Sequence, residues 1–540
     1  MSKVGYVSIV LHAHLPYVRH PKTPECLEEL WLMEAITETY IPIIEVMDGL
    51  LRDNVPFRLT MSITPTLASM LADGFLQERY HRHITKLCEL AEKEVQRTRF
   101  MPGLQTMAVQ YLRQFQRARQ TFEDCHYRLL DRFIALEKTG SLEIIASAAT
   151  HGYLPLLYIN PKAVEAQIAL GVETYRHFFA KEPSGFWLPE CAFTPGIDEI
   201  LGAYGIRYVI TDSHGIIHAQ PRPRYSVYAP IYTPAMVAAF GRDWESSKQV
   251  WSASEGYPGD FFYRDFYRDI GFDLDYDYIK PYLIAGIRGF TGIKYYRISG
   301  KGNHKEIYDP GIAQIRAAEH AGNFMFNREL QAQFLAARMD RPPLIIAPYD
   351  AELFGHWWYE GPQWLDYLFR KAAYDQEVFA MITPTEYLQQ YPSNQISMPS
   401  ESSWGNGGYH EVWLDGSNDW IYRHLHRAAD RMVQLANRYR HADGHLERAL
   451  NQAARELLLA QASDWAFIMK TGTMVEYAQR RTREHISNFI ELYHQITENR
   501  IDIRWLKEQE EEHNIFPWLD FRIYAGEIKR ANVAQAVGEC

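Results

Sequence analysis

Seven short apolar runs, separated mostly by helical patterns, constrain the fold of the first 390 residues more than any other feature of the sequence. Each run has the length of a buried strand, and continuous apolar character is typical of strands that are covered on both faces of a parallel sheet. This alternation predicts a parallel α/β fold, either a barrel or a doubly wound sheet. The runs are Val4–Leu11, Phe57–Ile63, Leu142–Ala149, Gly185–Leu188, Ile206–Ile210, Leu344–Ala347 and Val378–Ile382.

Two long interruptions and a change of pattern divide the chain. Residues 67–135 carry almost no strand signal and have the periodicity of amphipathic helices. Residues 215–300 are rich in Tyr, Phe, Pro and Gly, which predicts long loops. From about Asp419 to about Asn499 the pattern is wholly helical. We therefore predict a catalytic α/β unit at 1–66 and 136–400, a helical insertion at 67–135 and a C-terminal all-helical domain at 401–540.

Charge and aromatic content restrict the class of ligand. The 540 residues include 56 Lys and Arg against 67 Asp and Glu, a formal net charge of -11. Nucleic acids and anionic membranes select positive surfaces, so neither is expected as a partner. Aromatic residues reach 14%, with 35 Tyr and 13 Trp. Flat rings pack well against the C–H faces of sugars, so this composition fits a neutral carbohydrate.

The cysteines predict a reducing compartment. Cys26, Cys88, Cys125, Cys191 and Cys540 are odd in number and widely scattered, and they include no C-x-x-C pair. Neither a disulfide framework nor a thiolate zinc site is therefore expected. The N-terminal region lacks the pattern of a signal peptide, and no segment approaches the roughly 20 apolar residues of a membrane span. These features predict a soluble, cytoplasmic protein.

Titratable side chains follow five of the seven apolar runs, at the positions where functional groups of α/β folds gather. Because alternate residues of a strand share a face, the two histidines after the first run are expected on one side of it. The groups in question are His12 and His14, His151, Glu190, Asp212 and His214, and Asp350 and Glu352.

Two reaction types can use this set of side chains. In the first, Glu190 and Asp350 flank a glycosidic bond, one as nucleophile and the other as proton donor. In the second, a metal ion activates water. The candidate metal ligands are His12, His14, His151 and Asp350.

Aromatic neighbours favour the carboxylate mechanism. Phe186 and Trp187 precede Glu190, and a Trp-Trp-Tyr sequence at 357–359 follows Asp350. Aromatic walls beside both acids suit a sugar ring better than a hydrated metal ion. A thiol nucleophile at Cys191 is disfavoured, because no activating base lies near it in the sequence.

Five segments together resemble the signature regions of glycoside hydrolase family 57. They occur in the family's order over about 400 residues. The resemblance implies a distorted (β/α)7 barrel and a retaining mechanism that uses no metal and no cofactor. The segments are LHAHLPYVRH (11–20), ATHGYLPLL (149–157), GFWLPECAFTPG (185–196), APYDAELFGHWWYEGP (347–362) and SSWGNGGYHEVWLDGSNDW (402–420).

The same resemblance assigns roles to individual residues. It implies Glu190 as the nucleophile and Asp350 as the general acid/base. It also implies a mobile loop within about 221–243 with a tyrosine at its tip, for which Tyr225 and Tyr228 compete with Tyr232, the favoured candidate. Relatives often carry Trp where this chain has Phe272, which lacks an indole N–H donor. The substrate-binding set comprises His12, His14, Trp31, His151, Trp187, Tyr232, Arg264, Phe272, Trp404, Trp413 and Asp464.

Within the family the chain resembles the 1,4-α-glucan branching enzymes. The features are a segment at 251–272 and the helical C-terminal motifs ASDWAFIMKTGTMVEYAQ (462–479) and FPWLDFR (516–522). The implied reaction cleaves α-1,4 bonds and forms α-1,6 bonds in glycogen-like or starch-like glucans, which serve as both donor and acceptor. A 4-α-glucanotransferase or an α-amylase would share both carboxylates. Retention predicts carboxyl groups roughly 5–5.5 Å apart, with the pKa of Asp350 raised and Glu190 ionised.

Overall fold

Short, buried strands form the centre of the protein. The computed structural model describes residues 3–252, 255–300, 302 and 305–531. Cys540, the last nine residues of the predicted helical domain, and positions 253 and 254 of the 251–272 segment lie outside these ranges. The strands are β1 (Gly5–Ala13), β2 (Leu59–Ile63), β3 (Leu142–Ser147), β4 (Gly185–Trp187), β5 (Tyr208–Thr211), β6 (Ile231–Tyr232), β7 (Ala238–Gly241), β8 (Leu344–Asp350) and β9 (Phe379–Met381).

The sheet curls into a distorted barrel. Its hydrogen-bonded order is β7-β5-β4-β3-β2-β1-β8, and all six of these pairings are parallel. The backbone N–H of Asp243, two residues after β7, donates to the carbonyl of Ile346 in β8 at 2.8 Å, which brings the two edges together. The predicted distorted (β/α)7 barrel is thereby confirmed. The two-residue strand β6 adds an antiparallel pairing to β7.

Two strand assignments differ from the sequence prediction. The run at 378–382 does form a strand, β9, but it pairs only with the first residues of β1 and lies off the barrel circuit. The seventh barrel strand is β7, which falls inside the region predicted as loops. Its four residues, Ala-Ala-Phe-Gly, are too short and too poor in β-branched side chains to give a strand signal.

Helices surround the barrel and fill the first long insertion, whereas the second has only short helices between turns and loops in its described residues. The region predicted as a helical insertion is helical, from α3 to α6, and the C-terminal region contains α17 to α21. None of the helices in the described ranges is long and apolar enough to cross a membrane. The helices are α1 (Leu30–Ala35), α2 (Ile41–Arg52), α3 (Pro65–Ala72), α4 (Gly74–Arg97), α5 (Pro102–Asp124), α6 (Leu129–Glu137), α7 (Leu154–Leu157), α8 (Pro161–Phe179), α9 (Ile197–Ala203), α10 (Ser213–Ile217), α11 (Trp244–Trp251), α12 (Ile270–Asp273), α13 (Tyr276–Ile279), α14 (Pro310–Ala336), α15 (Gly361–Tyr374), α16 (Pro384–Gln390), α17 (Tyr422–Arg438), α18 (Gly444–Ala460), α19 (Ser463–Thr471), α20 (Val475–Thr497) and α21 (Ile503–Glu512).

Successive side chains of β1 point alternately toward the surrounding helices and into the interior of the barrel. Ile9 and Leu11 belong to the large core shared with the helices, whereas Val10 belongs to a second core with Trp187 and Ile346. His12 has the parity of Val10, so its side chain points inward at the mouth of the barrel. The register of β1 and β8 places it directly beside Asp350. Continuous burial of β1 on both faces explains why it appears in the sequence as an unbroken apolar run.

Candidate active site

Glu190 lies on a strained turn that directs it into the barrel mouth. After β4, a single 3-10 turn spans Pro189–Cys191. Glu190 has a φ of +62° and Cys191 a φ of +50°, both in the left-handed region that L-residues seldom occupy. The backbone N–H of Trp404 donates to the Glu190 carbonyl at 3.0 Å and holds this conformation. Strained backbone of this kind is found mainly at functional sites, where contacts with the surrounding structure enforce the unfavourable conformation.

Two donors hold the Glu190 carboxylate. Trp404 Nε1 donates to Oε2 at 2.8 Å, and Ser463 Oγ donates to Oε1 at 3.1 Å. Burial nevertheless raises the pKa of Glu190 to about 7, against the lowering effect of these two hydrogen bonds. The expectation of an ordinary, fully ionised Glu190 carboxyl therefore needs correction, because its pKa is raised into the neutral range.

Asp350 is the last residue of β8 and faces the same mouth. Burial raises its pKa well above the ordinary value, and the negative charges of Glu352 and Glu190 raise it further. The direction agrees with the sequence prediction for a proton donor. Glu352 is fixed behind it, because the Tyr40 hydroxyl and the backbone N–H of His14 both donate to its Oε1. With Asp464 beside His14, the mouth therefore contains four carboxyl groups, and their mutual repulsion favours the retention of protons.

Three imidazoles line the mouth beside these carboxyls, and their pKa values are shifted in different directions. His12 Nε2 lies 3.0 Å from His151 Nε2, and the His14 and His151 rings stack at 3.8 Å. Burial, together with the nearby His14, lowers the pKa of both His12 and His151 well below the usual value. Burial also acts to lower the pKa of His14, but the Asp464 carboxylate 3.0 Å away raises it overall. Of the three rings, His14 is therefore the one whose surroundings favour the protonated form, whereas those of His12 and His151 favour the neutral form.

The metal alternative does not match this arrangement. His12, His14 and His151 lie together and His12 is beside Asp350, but the group at the mouth whose donor atoms all lie within 4.8 Å of one another consists of His14, His151 and Asp464, in the described part of the chain. Both nitrogens of His14 are hydrogen-bonded, to Thr64 and Asp464, and His151 Nδ1 lies 2.9 Å from Ser463 Oγ. These ring nitrogens therefore already serve a hydrogen-bond network.

The predicted aromatic residues fall into two groups. Trp187 is fully buried and stacks on His12 at 4.4 Å, so it supports the histidine wall from behind. Trp413 is only 1% exposed and stacks on Tyr153 at 4.4 Å. Trp404 and Trp31 are partly exposed and present ring surface to the solvent side. Of these rings, Trp404 is the one that contacts Glu190, through its indole N–H.

Three predicted site residues lie away from the carboxylates. Arg264 is buried, with its guanidinium 3.3 Å from the Tyr111 hydroxyl and 4.0 Å from the Tyr359 ring centre. Phe272 is exposed in the 260–292 region. Tyr232 forms β6 and pairs with Ala238, the first residue of β7, so it lies at the opposite end of the barrel from Glu190. Its position gives no support to the predicted gating role.

Tyr225 and Tyr228, the other two candidates for the loop tip, also lie at the end of the barrel opposite Glu190. The carbonyl of Tyr228 accepts from the N–H of Leu344, the first residue of β8, and the Tyr225 hydroxyl contacts Asp340. The mobile loop with a tyrosine at its tip is implied only by the family resemblance. The chain instead passes down the outside of the barrel before β7 begins.

Ser463 is the functional residue that sequence reasoning missed. It begins α19, and it reaches the barrel because its backbone N–H donates to the His151 carbonyl at 3.1 Å. Its hydroxyl bridges His151 Nδ1 and the Glu190 carboxylate. The sequence did contain one indication of this role. Ser463 directly precedes Asp464 in the motif at 462–479, and Asp464 is already among the predicted site residues.

Known proteins resemble the chain over nearly all of its length. Residues 8–272 match the sequence model of glycosyl hydrolase family 57, and residues 424–524 match that of the 1,4-alpha-glucan branching enzyme C-terminal region. A 1,4-alpha-glucan branching enzyme from Thermococcus kodakarensis is 34% identical across 95% of this chain and 77% of its own length. A probable 1,4-alpha-glucan branching enzyme from Mycobacterium tuberculosis is 28% identical across 89% and 90%.

Two solved structures agree with this fold. A crystal structure described as an alpha-amylase from Thermotoga maritima has a TM-score of 0.91 and 46% identity, covering 97% of this chain and 99% of that one. A branching enzyme of the same family from Pyrococcus horikoshii has a TM-score of 0.88 and 32% identity, with 98% of both chains covered. Both likenesses extend through the barrel and the helical C-terminal region.

Proposed function

The chain belongs to glycoside hydrolase family 57, and on that premise we propose that it is a 1,4-α-glucan branching enzyme, which cleaves α-1,4 bonds and forms α-1,6 bonds with retention. One observation carries the proposal. The region that matches branching-enzyme C-terminal sequences, residues 424–524, contributes Ser463 to the nucleophile and Asp464 to the histidine wall. The segment typical of branching enzymes is therefore part of the reaction centre itself.

The first step uses the two carboxyls in different protonation states. Glu190 attacks the anomeric carbon of an α-1,4-linked glucose, while Asp350 gives its proton to the departing oxygen. Asp350 is suited to carry that proton because its pKa is raised well above normal by burial and by two neighbouring carboxyls. Glu190 is the better anion, because Trp404 and Ser463 donate hydrogen bonds to it. Like-charge repulsion favours the state with one shared proton.

The second step transfers the glucan to a sugar hydroxyl. Asp350, now a carboxylate, takes the proton of a 6-hydroxyl on a second chain, and that oxygen attacks the glucan ester on Glu190. Hydrolysis competes, so water must be excluded and the acceptor must be held by binding energy. The buried aromatic and imidazole walls supply the dry surroundings.

α-Amylase activity is the second candidate. It is favoured by the 46% identity to the structure from Thermotoga maritima that is described as an alpha-amylase. Both reactions use Glu190 and Asp350 in the same first step. They differ only in whether water or a glucan hydroxyl resolves the intermediate.

The test is to incubate the protein with amylose, debranch the product with an isoamylase, and compare chain-length profiles and reducing ends. New α-1,6 linkages with few new reducing ends establish branching. Reducing ends, or redistributed linear chains without branches, refute branching and leave amylase or 4-α-glucanotransferase activity. Glu190→Gln and Asp350→Asn serve as inactive controls, and activity that survives both changes would refute the carboxylate mechanism.

The finer assignments form part of the same proposal. Glycogen-like or starch-like α-1,4-glucan acts as donor and acceptor, with His12, His14, His151 and Trp404 as the contacts nearest Glu190. We infer a cytoplasmic role in glycogen synthesis, supported by the free thiols of the cysteines in the described residues. The segments 1–66 and 136–400 form the catalytic unit, with the insertion at 67–135 and the helical domain from 401 packed against it.

A further inference from the structure

Helix α14 carries large apolar side chains on the face that it turns toward solvent. Its buried face consists mainly of alanines, at Ala313, Ala317, Ala321 and Ala332. On the outer face, by contrast, Ile315, Phe326 and Phe334 are 61%, 55% and 57% exposed. A helix that is apolar on all sides is normally covered on all sides. The line of residues along this outer face is here called the outer stripe: Ile312, Ile315, Glu319, Asn323, Phe326, Leu330 and Phe334.

The spacing of the outer stripe keeps it on one side of the helix. Its members are separated by three, four and four residues, and this order then repeats, so that the pattern recurs every 11 residues. Such a repeat corresponds to about 3.67 residues per turn, close to the roughly 3.6 of an α-helix. The stripe therefore drifts little around the axis of α14, whose 27 residues span about 40 Å.

The N-terminal half of the outer stripe carries a net negative charge. Glu319 is exposed and contacts Arg316, one turn earlier on the same helix. Arg316 also donates to the Asp260 carboxylate at 2.7 Å. Two carboxylates therefore share one guanidinium, and Glu319 keeps the capacity to accept hydrogen bonds from a second cation.

A positive charge lies at the other end of the stripe. Arg338, two residues after the end of α14, is exposed and has its guanidinium carbon 3.6 Å from the centre of the Phe334 ring. It also donates to the Phe334 carbonyl at 2.8 Å. Phe326 and Leu330 lie midway between Glu319 and Arg338 in the sequence. The stripe is therefore complementary to itself, because a second helix that runs in the opposite direction presents the same groups in reverse order.

We propose that the outer stripe is the interface between two copies of this chain, whose α14 helices pack antiparallel across a twofold axis at the height of residue 328. Phe326 of each copy then faces Leu330 of the other, and Glu319 faces Arg338. The Phe334 ring falls opposite Gly322, where there is room for it. A Cβ built on Gly322 would have the end of the Lys371 side chain as its nearest neighbour, at 3.8 Å.

A second copy fits this surface better than a membrane does. The chain has a formal net charge of -11, which disfavours binding to anionic lipids. Helices that lie in a membrane surface carry Lys and Arg beside their apolar face, whereas the polar members of the outer stripe are Glu319 and Asn323. Apolar and aromatic side chains at the centre with charged groups toward the rim are typical of protein–protein interfaces.

The first experiment measures the mass of the full chain by sedimentation at increasing protein concentration. The wild type should sediment with twice the mass of one chain. Leu330→Glu should weaken this association about a hundredfold, because the twofold axis places the new charge on both sides of the interface. Ile159→Glu changes a 72% exposed aliphatic side chain between α7 and α8 and is the matched control, expected to leave the dimer intact. Unfolding temperatures verify that each variant is folded.

Charge reversal tests the antiparallel orientation. Arg338→Glu alone should weaken the association about tenfold, because two carboxylates would then face each other at both ends of the interface. Adding Glu319→Arg restores opposite charges and should recover most of the loss. In a parallel pair each residue would face its own counterpart, and Arg338→Glu would replace one like-charged pair by another. No loss in the single variant, or no recovery in the double variant, would therefore refute the antiparallel pairing.

Two further results would overturn the proposal. One is a wild-type protein that sediments as a single chain at every concentration, and the other is a dimer that Leu330→Glu leaves intact. A single chain that binds phosphatidylglycerol vesicles, and loses this binding in Leu330→Glu, would assign the outer stripe to a membrane surface instead. These outcomes are independent of the branching assay, because sedimentation is measured without substrate.

Discussion

Removal of the Ser463 hydroxyl should shift the acidic limb of the pH–rate profile. In Ser463→Ala, Glu190 Oε1 loses a donor 3.1 Å away, while the Trp404 donor to Oε2 remains. A hydrogen bond to a charged group contributes roughly 1.5–3 kcal/mol, although a water molecule can recover part of this. One pKa unit corresponds to about 1.4 kcal/mol, so a rise of about one unit is expected.

The consequence at neutral pH follows directly. Glu190 has a pKa of about 7, and half of the molecules carry the nucleophile as an anion at pH 7. A rise of about one unit leaves roughly one molecule in ten ionised. kcat/KM at pH 7 should therefore fall about fivefold, with most of the loss recovered at higher pH until the proton donor itself titrates.

The measurement is kcat/KM for a maltooligosaccharide from pH 5 to 9, because this parameter reports the free enzyme. Ser463→Thr keeps the hydroxyl and serves as the control, with a limb expected at the wild-type position. His151 also contacts the Ser463 hydroxyl, but burial and the nearby His14 lower its pKa well below the ordinary value for histidine. A uniform loss of activity with an unmoved acidic limb would refute the reasoning and give Ser463 a purely structural role.

Three further changes test other parts of the structure. Trp404→Phe removes the donor to Glu190 Oε2 but keeps a flat ring, so the acidic limb should move upward as in the serine variant; an unchanged limb would argue against that hydrogen bond. Gly355→Ala forces a Cβ against the Glu38 carbonyl and should lower the free energy of unfolding by about 2 kcal/mol in denaturant titrations, or more. Glu456→Gln, between two fully buried imidazoles, should cost about 3 kcal/mol by the same measurement, and a loss below 1 kcal/mol would contradict its structural role.

The sequence was most informative where function lies directly after a strand. Glu190 follows β4 and Asp350 ends β8, so local order along the chain was enough to place both at one mouth. The register of β1 with β8 then puts His12 beside Asp350. Strand ends are readable in this way because parallel topology brings them to one edge.

Contacts between residues far apart in the sequence, and strands with little apolar character, could not be predicted in this way. Ser463 meets Glu190 across 273 residues, and no periodicity encodes such a contact. The role of Tyr232 rests on the resemblance alone, and no residue pattern shows the path of the chain between β5 and β7. The Glu190 protonation state was also misjudged, since burial depends on walls contributed by Trp404 and by the helical C-terminal region.

The helical C-terminal domain is therefore better regarded as part of the catalytic site than as an accessory. Ser463 donates to the nucleophile, and its N–H donates to the His151 carbonyl. Behind this contact, Gln167 Nε2 donates to Gln461 Oε1 at 3.1 Å and the Thr150 hydroxyl donates to the Leu458 carbonyl. Without these groups, His14 loses the carboxylate that raises its pKa, and Glu190 loses one of its two donors. A chain that ends before α17 should thus lose glucan transfer even where its barrel remains folded, because the charge pattern of the mouth is built jointly by both parts.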